Sequence, residues 1–367
     1  MKNLAIIGAS YLQLPLIKKA KEMGYTTHVF AWAANDVGEK ESDYFYPISI
    51  VEKEAILEQC KKIGICGICS IASDLATITV NYVASVLGLN ANSIHATMIS
   101  TNKHMMREAF EKNGDPSPQS FLVDENTDFD KIDIRFPAIV KPTDRSGSRG
   151  IYKIENRQEI KNAVNEALKE GFERKALLEE YVEGQEYSVE YISYHGKHYF
   201  LALTLKYTTG APHFIETAHL EPAPVDEKTI EKVKAVVEHA LDSLELTEGA
   251  SHSELKIDKD GNIRLIEIGG RMGGDCIGSD LVYYSTGIDF VRAVIDVACG
   301  LKPDLKPCCK PMAVKVVFIF TEKDKEEFEK VEKQAPERIL KVVDRHFENI
   351  GKTTDSSNRA GCYILKA

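Results

Sequence analysis

The chain has 367 residues, enough for two or three domains and a large buried core. Hydrophobic residues at 43% and charged residues at 28% are those of a folded globular chain, with neither intrinsic disorder nor a fibrous repeat expected, and a formal charge of −10 argues against a dedicated nucleic-acid binder. No run approaches the roughly eighteen apolar residues of a membrane span, and Met1-Lys2-Asn3 leads straight into a strand-like LAIIG, so the expected compartment is the cytoplasm.

Residues 1 to about 100 alternate short β-branched runs with helical patterns. LAIIG, THVFAW, YFYPI and GICSI read as strands, and Leu12 to Met23, Lys53 to Ile63 and Leu75 to Leu87 as helices. Strand-helix alternation of this kind builds a doubly wound parallel sheet. The first turn, GASYLQLP, offers only Gly8 where a dinucleotide fingerprint needs three glycines, which disfavours a nicotinamide oxidoreductase. Cys66 and Cys69 lie three apart on a strand and so face opposite ways, and Cys308-Cys309 has no second pair to complete a zinc site.

After Asn102-Lys103 a helix runs to Gly114, and the prolines of DPSP mark a hinge. FLVD, PAIVKP, GIYKI, a helix over Asn156 to Lys169 and ALLEEYV then make a compact α+β unit. The strands EYSVEYI and HYFLALT follow, then a helix with Ile230, Val233, Val237, Ala240, Leu241 and Leu244 on one stripe, then a hairpin. The expected division is residues 1–104, a small lid over 105–183, and a large mixed α+β domain over 184–367 with 306–367 as a peripheral lobe.

Four segments carry chemistry. In PAIVKPTDRSGSRGI a strand delivers Lys141, and Ser146, Gly147, Ser148 and Gly150 follow; such a loop can wrap phosphate oxygens, and an ordinary surface turn would read the same. The order is not that of a Walker loop, because the glycines follow the lysine and lead into another strand. In LLEEYVEGQEYSVE a strand ends at Glu179-Glu180-Tyr181-Val182, where free backbone groups can read an adenine edge, and Glu186 can accept ribose hydroxyls.

SELKIDKDGNIRLIEIGGRMGGD reads as a hairpin turning at Asp260-Gly261. If its loop is the four residues 259–262, pairs whose numbers sum to 521 are opposed, and Glu254 faces Glu267. Two opposed carboxylates need a cation between them, and magnesium suits so few protein oxygens. A slip of one residue would turn one glutamate away. Arg271 then offers a fixed fork of donors to an oxyanion or phosphate. In APHFIETAHLEPAP, His213, Glu216 and His219 flank a strand, and histidine is the usual proton carrier near neutral pH.

Taken in order, these segments resemble the ATP-grasp superfamily over nearly the whole chain. The resemblance implies a wound N-terminal domain, a lid and a C-terminal domain trapping ATP and Mg²⁺, with Mn²⁺ as the alternative ion. It implies carboxylate-amine ligation through an acyl-phosphate. Carried over by position, Lys103, Lys141 and the loop from Ser146 to Gly150 hold phosphates; Glu179, Glu180, Tyr181 and Val182 receive adenine; Glu186 binds ribose. Glu254 and Glu267 hold metal, and Arg271 steadies the reacting phosphate.

Many members have Asn-Pro before the arginine, whereas this chain reads Glu267-Ile268-Gly269-Gly270-Arg271. That form is similar to the amino-acid ligases that make dipeptides and amides. In that branch Glu216 would complete the metal shell, His219 would act in catalysis, and His213, Gly274 and Asp275 would line the substrate pocket, Asp275 favouring an ammonium. Small carboxylate and amine substrates are the expected partners, with a homodimer compatible and neither nucleic acid nor membrane involved. The rivals are a bicarbonate-activating or purine-pathway ligase of the same fold and a non-catalytic nucleotide-binding protein.

Overall fold

A computed structural model of the chain describes residues 2–145, 149–210, 215–352 and 359–367. The N-terminal layer follows the expected alternation: β1 (Lys2–Ile7), α1 (Leu14–Glu22), β2 (Tyr25–Phe30), α2 (Val37–Glu41), β3 (Tyr44–Tyr46), α3 (Lys53–Ile63), β4 (Gly67–Cys69) and α4 (Asp74–Leu87). Its sheet has the order β3-β2-β1-β4, with every pairing parallel. Successive side chains of a strand face opposite ways, so β1 feeds two cores. Ala5 and Ile7 pack toward α3 and α4, whereas Leu4 and Ile6 pack with α1 and with residues from the far end of the chain.

Two helices follow, α5 (Ile94–Thr101) and α6 (Lys103–Asn113), joined at Asn102. Asn102 caps α6, its carboxamide oxygen accepting from the amides of His104 and Met105. The small sheet is β5 (Ser120–Val123), β6 (Ala138–Pro142), β7 (Tyr152–Ile154) and, after α7 (Ile160–Glu170), β8 (Ala176–Glu180). These strands lie antiparallel in the order β5-β8-β6-β7 over a core made with α7.

The large sheet takes β9 (Gln185–Tyr194), β10 (Lys197–Thr208) and β11 (Glu216–Glu221), then, beyond α8 (Glu227–Ser243), β12 (Gly249–Ile257) and β13 (Ile263–Gly269). The short α9 (Val282–Thr286) and α10 (Phe290–Ala298) lead on to β14 (Val314–Ile319), α11 (Glu322–Gln334), β15 (Ile339–Arg345) and β16 (Gly361–Lys366). The eight strands run β13-β12-β9-β10-β11-β14-β16-β15. The stripe on α8 is real: Val233, Val237, Ala240, Leu241 and Leu244 are buried against this sheet.

One expected boundary shifts for packing reasons. A cut at 104/105 would sever α6 after two residues. The buried side chains of α6, Met106 and Phe110, sit in one core with Ala96 and Ile99 of α5 and with Tyr187, Val189, Leu255 and Leu265 of the large sheet. Residues 306–367 add β14, β16 and β15 at the edge of the large sheet, so this part belongs to the same sheet as the rest of 184–367.

Candidate active site

Between the lid sheet and the large sheet lies a cleft, open in part to solvent, with about 1160 Å³ of space. Lys103, Lys141, Glu179, Glu180, Tyr181, Val182, Glu186, Glu216, Glu254, Glu267 and Arg271 all line it, so eleven residues singled out from sequence meet in one place. Their elements explain the convergence. Lys103 opens α6, Lys141 and Glu179 share a face of the paired strands β6 and β8, and Glu254 and Glu267 belong to adjacent strands.

Glu254 and Glu267 are direct register partners, but not for the reason the turn suggested. Ile257 pairs with Ile263 and Leu255 with Leu265, so near the turn the opposed numbers sum to 520. A bulge between Glu254 and Leu255 then advances the register by one, bringing Glu254 opposite Glu267. Ammonium groups sit on both carboxylates: Lys206 Nζ lies 2.5 Å from Glu254, and Lys103 Nζ lies 2.7 Å from Glu267. Lys206 also reaches Glu186 at 2.9 Å and Glu216 at 3.7 Å. Burial alone would raise the Glu254 pKa, but Lys206 and the His252 imidazolium outweigh it and hold the carboxyl well below its usual range.

At the lid side, Glu179 is buried between Lys141 at 2.7 Å and Arg107 at 2.8 Å. These two cations override burial and keep its pKa low, while burial pulls that of Lys141 down. Arg107 also donates to the carbonyl of Ile266 at 2.6 Å, tying α6 to β13. Tyr181 lies under two ammonium groups, those of Lys153 and Lys256, and Val182 O accepts from Lys256 at 3.2 Å.

On the opposite wall Arg271 is gripped by Asp74, the first residue of α4, through Nε at 2.9 Å and Nη2 at 3.2 Å. Behind Glu254, His252 pairs with buried Glu190 through Nδ1, and its Nε2 lies 3.5 Å from Glu254. Burial opposes a charge on His252, but Glu190 prevails and its pKa rises to about 9. Glu190 also accepts from the amide of Gly273 at 2.9 Å. A Cβ on Gly273 would lie 2.6 Å from Glu190 Oε1 and 2.7 Å from His252 Nδ1, so this close approach requires glycine.

Several expectations need correcting. His219, expected to carry protons, is 1% exposed and packs edge-on against Phe318. Burial drives its pKa down to about 3, so the ring stays neutral at ordinary pH. Asp275, expected to meet a ligand ammonium, is instead held by Arg359 at 2.7 and 2.9 Å. That arginine also touches Glu216 at 3.3 Å and stacks on Phe318. Asp275 and Cys276 both adopt positive φ, 51° and 65°, a left-handed pair that the surrounding contacts must hold.

Gly150 does not line the cleft. Its φ of +69° and the crowding of Pro142 and Glu170 account for the glycine. Gly274 faces Ala72, its would-be Cβ 3.4 Å away. Ser146, Gly147, Ser148 and His213 lie outside the described residues. Among the described residues no group of three or more histidine, cysteine and acidic side chains is assembled as a metal cage, because lysines and Arg359 partner Glu216, Glu254 and Glu267.

Sequence reasoning missed Asp74, Arg107, Glu190, Lys206, His252 and Arg359. Arg107 had a signal, standing four residues after Lys103 and so on the same face of α6. Lys206 had a weaker one, as a cation at the end of the apolar, hydroxyl-bearing run FLALTLKYT.

The arrangement of the three layers is similar to that of ATP-grasp structures. Residues 134–280 match the family model described as ATP-grasp domain. Among curated proteins the chain is similar to alanine–anticapsin ligase of Bacillus subtilis (strain 168), 30% identical over 244 residues, covering 60% of this chain and 51% of that one. The chain thus spans about half the length of this curated relative. Among solved structures, L-amino acid ligase from Bacillus licheniformis superimposes with a TM-score of 0.80 at 21% identity, covering 100% of this chain and 93% of the other. Phosphoribosylglycinamide synthetase from Anaerococcus prevotii gives 0.77 at 22% identity, covering 100% and 94%. At those identities the structures speak for the fold. Among the described residues no helix is long and apolar enough to cross a membrane.

Proposed function

We propose that the chain is an ATP- and Mg²⁺-dependent carboxylate-amine ligase acting through an acyl-phosphate on amino-acid-like small molecules, with ADP and phosphate released. The observation that carries this reading is the meeting of Lys103, Lys141, Glu254, Glu267 and Arg271 in one cleft between lid and large sheet. The similarity to alanine–anticapsin ligase favours an amino-acid ligase over other members of the fold.

The donor set fits a divalent ion. Two opposed glutamates each already hold a cation, and those ammonium groups stand in for the charge a metal would bring. Glu254 and Glu267 would hold the ion, with Glu216 beside them. When bound, it draws off negative charge developing on the transferred phosphoryl oxygens. Lys103 and Lys141 neutralise the polyphosphate, and Glu186 and the strand end at Glu180 to Val182 bound the nucleoside end of the cleft.

Arg271, aimed by Asp74, presents its guanidinium to the acyl-phosphate and to the tetrahedral oxyanion that follows. The carboxylate oxygen forms the bond to the γ-phosphorus as ADP leaves. The amine nitrogen then forms the bond to the carbonyl carbon as phosphate leaves, and the amine gives up one proton. No enzyme nucleophile is required, because positioning and charge neutralisation supply the rate. The organic substrates would enter from the wound domain, where Ala72 N–H donates to Met272 O at 3.2 Å and sets the loop after Arg271 against the carboxyl end of β4.

Phosphate release from ATP and Mg²⁺ across a panel of amino acids, singly and in pairs, tests the reading. Release that requires a carboxylate and an amine together is the expected result. Release with bicarbonate alone would assign the chain to the carboxylating members of the fold. Nucleotide binding with no release for any pair would leave a non-catalytic binder.

A further inference from the structure

One row of the large sheet runs Gly269, His252, Glu190, Ala202 across the adjacent strands β13, β12, β9 and β10. Residues opposed in register share a face, and so do residues two apart on one strand. Glu254 and its partner Glu267 therefore stand on the same face as His252 and Glu190. Glu190 is fully buried, yet both of its oxygens are engaged. Oε1 meets Nδ1 of His252, and Oε2 accepts from the amide of Gly273, the second residue after Arg271. A single carboxylate thus joins the loop that follows Arg271 to the ring that stands against Glu254.

Folding alone does not call for a carboxylate here. A buried charged pair contributes little net stability, and apolar side chains of the same volume often serve as well or better. We propose, on the ligase reading given above, that Glu190 is a positioning residue. Through Gly273 it fixes the loop that carries Arg271, and through His252 it fixes Glu254. It thereby holds the arginine that meets the acyl-phosphate in register with the carboxylate that meets the metal ion. A carboxylate only accepts, so both ring nitrogens of His252 donate, Nδ1 to Glu190 and Nε2 toward Glu254 Oε1 at 3.5 Å. Lys206 holds that same oxygen at 2.5 Å, but on a flexible four-carbon stem that can follow it. The imidazole, pinned at its far nitrogen, cannot follow, and so sets the direction of the carboxylate. At the other end the fit is equally close, since the contact between Glu190 and His252 leaves Gly273 no room for a Cβ. Ala72 and Arg359 tie the same loop to the wound layer and to the segment before β16. Glu190 ties it to the sheet that bears Glu254 and Glu267.

Mn²⁺ binding by the full chain, read by electron paramagnetic resonance, and hydrogen exchange at the Gly273 amide provide the test, and neither needs turnover. Glu190→Met fills the volume but accepts from neither partner. It should weaken Mn²⁺ binding by about tenfold, the loss expected when the support behind a metal carboxylate is removed, and open the Gly273 amide to exchange. Glu190→Gln, with its carbonyl turned to Gly273 and its amide to Nδ1, should recover most of both. Should Glu190→Met fold poorly, His252→Asn decides instead. It keeps a donor for Glu190 and lacks one for Glu254, so Mn²⁺ binding should weaken while Gly273 stays protected. Unchanged Mn²⁺ affinity in either folded variant overturns the proposal, as does a Glu190→Gln chain as impaired as Glu190→Met. A wild-type chain that binds no Mn²⁺ overturns it too. A chain that shows the expected shifts in Mn²⁺ binding and exchange but ligates no amino acid refutes the ligase reading and leaves the coupling of loop and carboxylate standing.

Discussion

Replacing Arg107 by methionine separates a structural reading of the buried triad from a merely decorative one. Arg107 and Glu179 are 4% and 3% exposed, so neither group regains water when its partner goes. The substitution removes the 2.8 Å pair with Glu179 and the 2.6 Å bond to Ile266 O, while the methionine stem fills most of the volume. Breaking a buried pair costs about 3–5 kcal/mol, and Lys141, still 2.7 Å from Glu179, offsets part of it. A net loss of about 3 kcal/mol is expected from urea unfolding followed by circular dichroism. The same change takes the triad from two cations and one anion to an even balance. Positive potential beside the phosphate region falls, so ATP affinity by calorimetry should drop by roughly tenfold, about 1.4 kcal/mol. Arg107 also helps keep the Lys141 pKa low, a lesser influence than burial, so the lysine becomes more basic in the variant. A stability loss under about 1 kcal/mol with unchanged ATP affinity would refute this reasoning, because Lys141 alone would then satisfy Glu179.

Other expectations follow from the same geometry. Burial raises the Glu221 pKa to about 7, with Ser285 and Thr204 hydroxyls donating to it at 2.5 Å each. A carboxyl raised in the folded state binds more protons there than when unfolded, so stability declines as pH rises from about 4.5 to about 7 and then levels. Glu221→Gln should remove that slope and gain about 3 kcal/mol at pH 8, measured by unfolding at several pH values. Asp74→Ala releases Arg271 and should lower phosphate release at least about tenfold, with Asp74→Asn recovering part of it. Glu254→Gln should weaken Mn²⁺ binding, read by electron paramagnetic resonance, by about tenfold or more, since half of the opposed carboxylate pair is lost. Gly273→Ala should cost about 1–3 kcal/mol through its clash with Glu190 and His252, whereas Gly274→Ala should be nearly silent.

The wound layer and the lid were legible because hydrophobic period and turn residues are local signals. Glu254 opposite Glu267 was legible too, though by a compensation: the turn holds one residue more than the sequence suggested, and the bulge restores the pairing. Nothing local marks a bulge. Asp74 and Arg359 were invisible for another reason, since they stand 197 and 84 residues from Arg271 and Asp275, and only the packing of the wound layer and of the last strands brings them in. His219 misled because a histidine beside acids reads alike whether it faces a cleft or Phe318. The 104/105 boundary failed because prolines and glycines mark where chain direction changes, not which core a helix joins.

The stretch that carries the ATP-grasp match, residues 134–280, is not a portable unit. Lys103, Arg107 and Asp74 come from before it and Arg359 from after it, and each neutralises a carboxylate or guanidinium that the stretch itself contributes. Excised or grafted onto another scaffold, the segment would bring Glu267 and Asp275 without their natural cations, Arg271 without its anion, and Glu179 with Lys141 alone. Recombination within such proteins would therefore have to exchange the flanking layers together with the middle, or rebuild four distant charges at once.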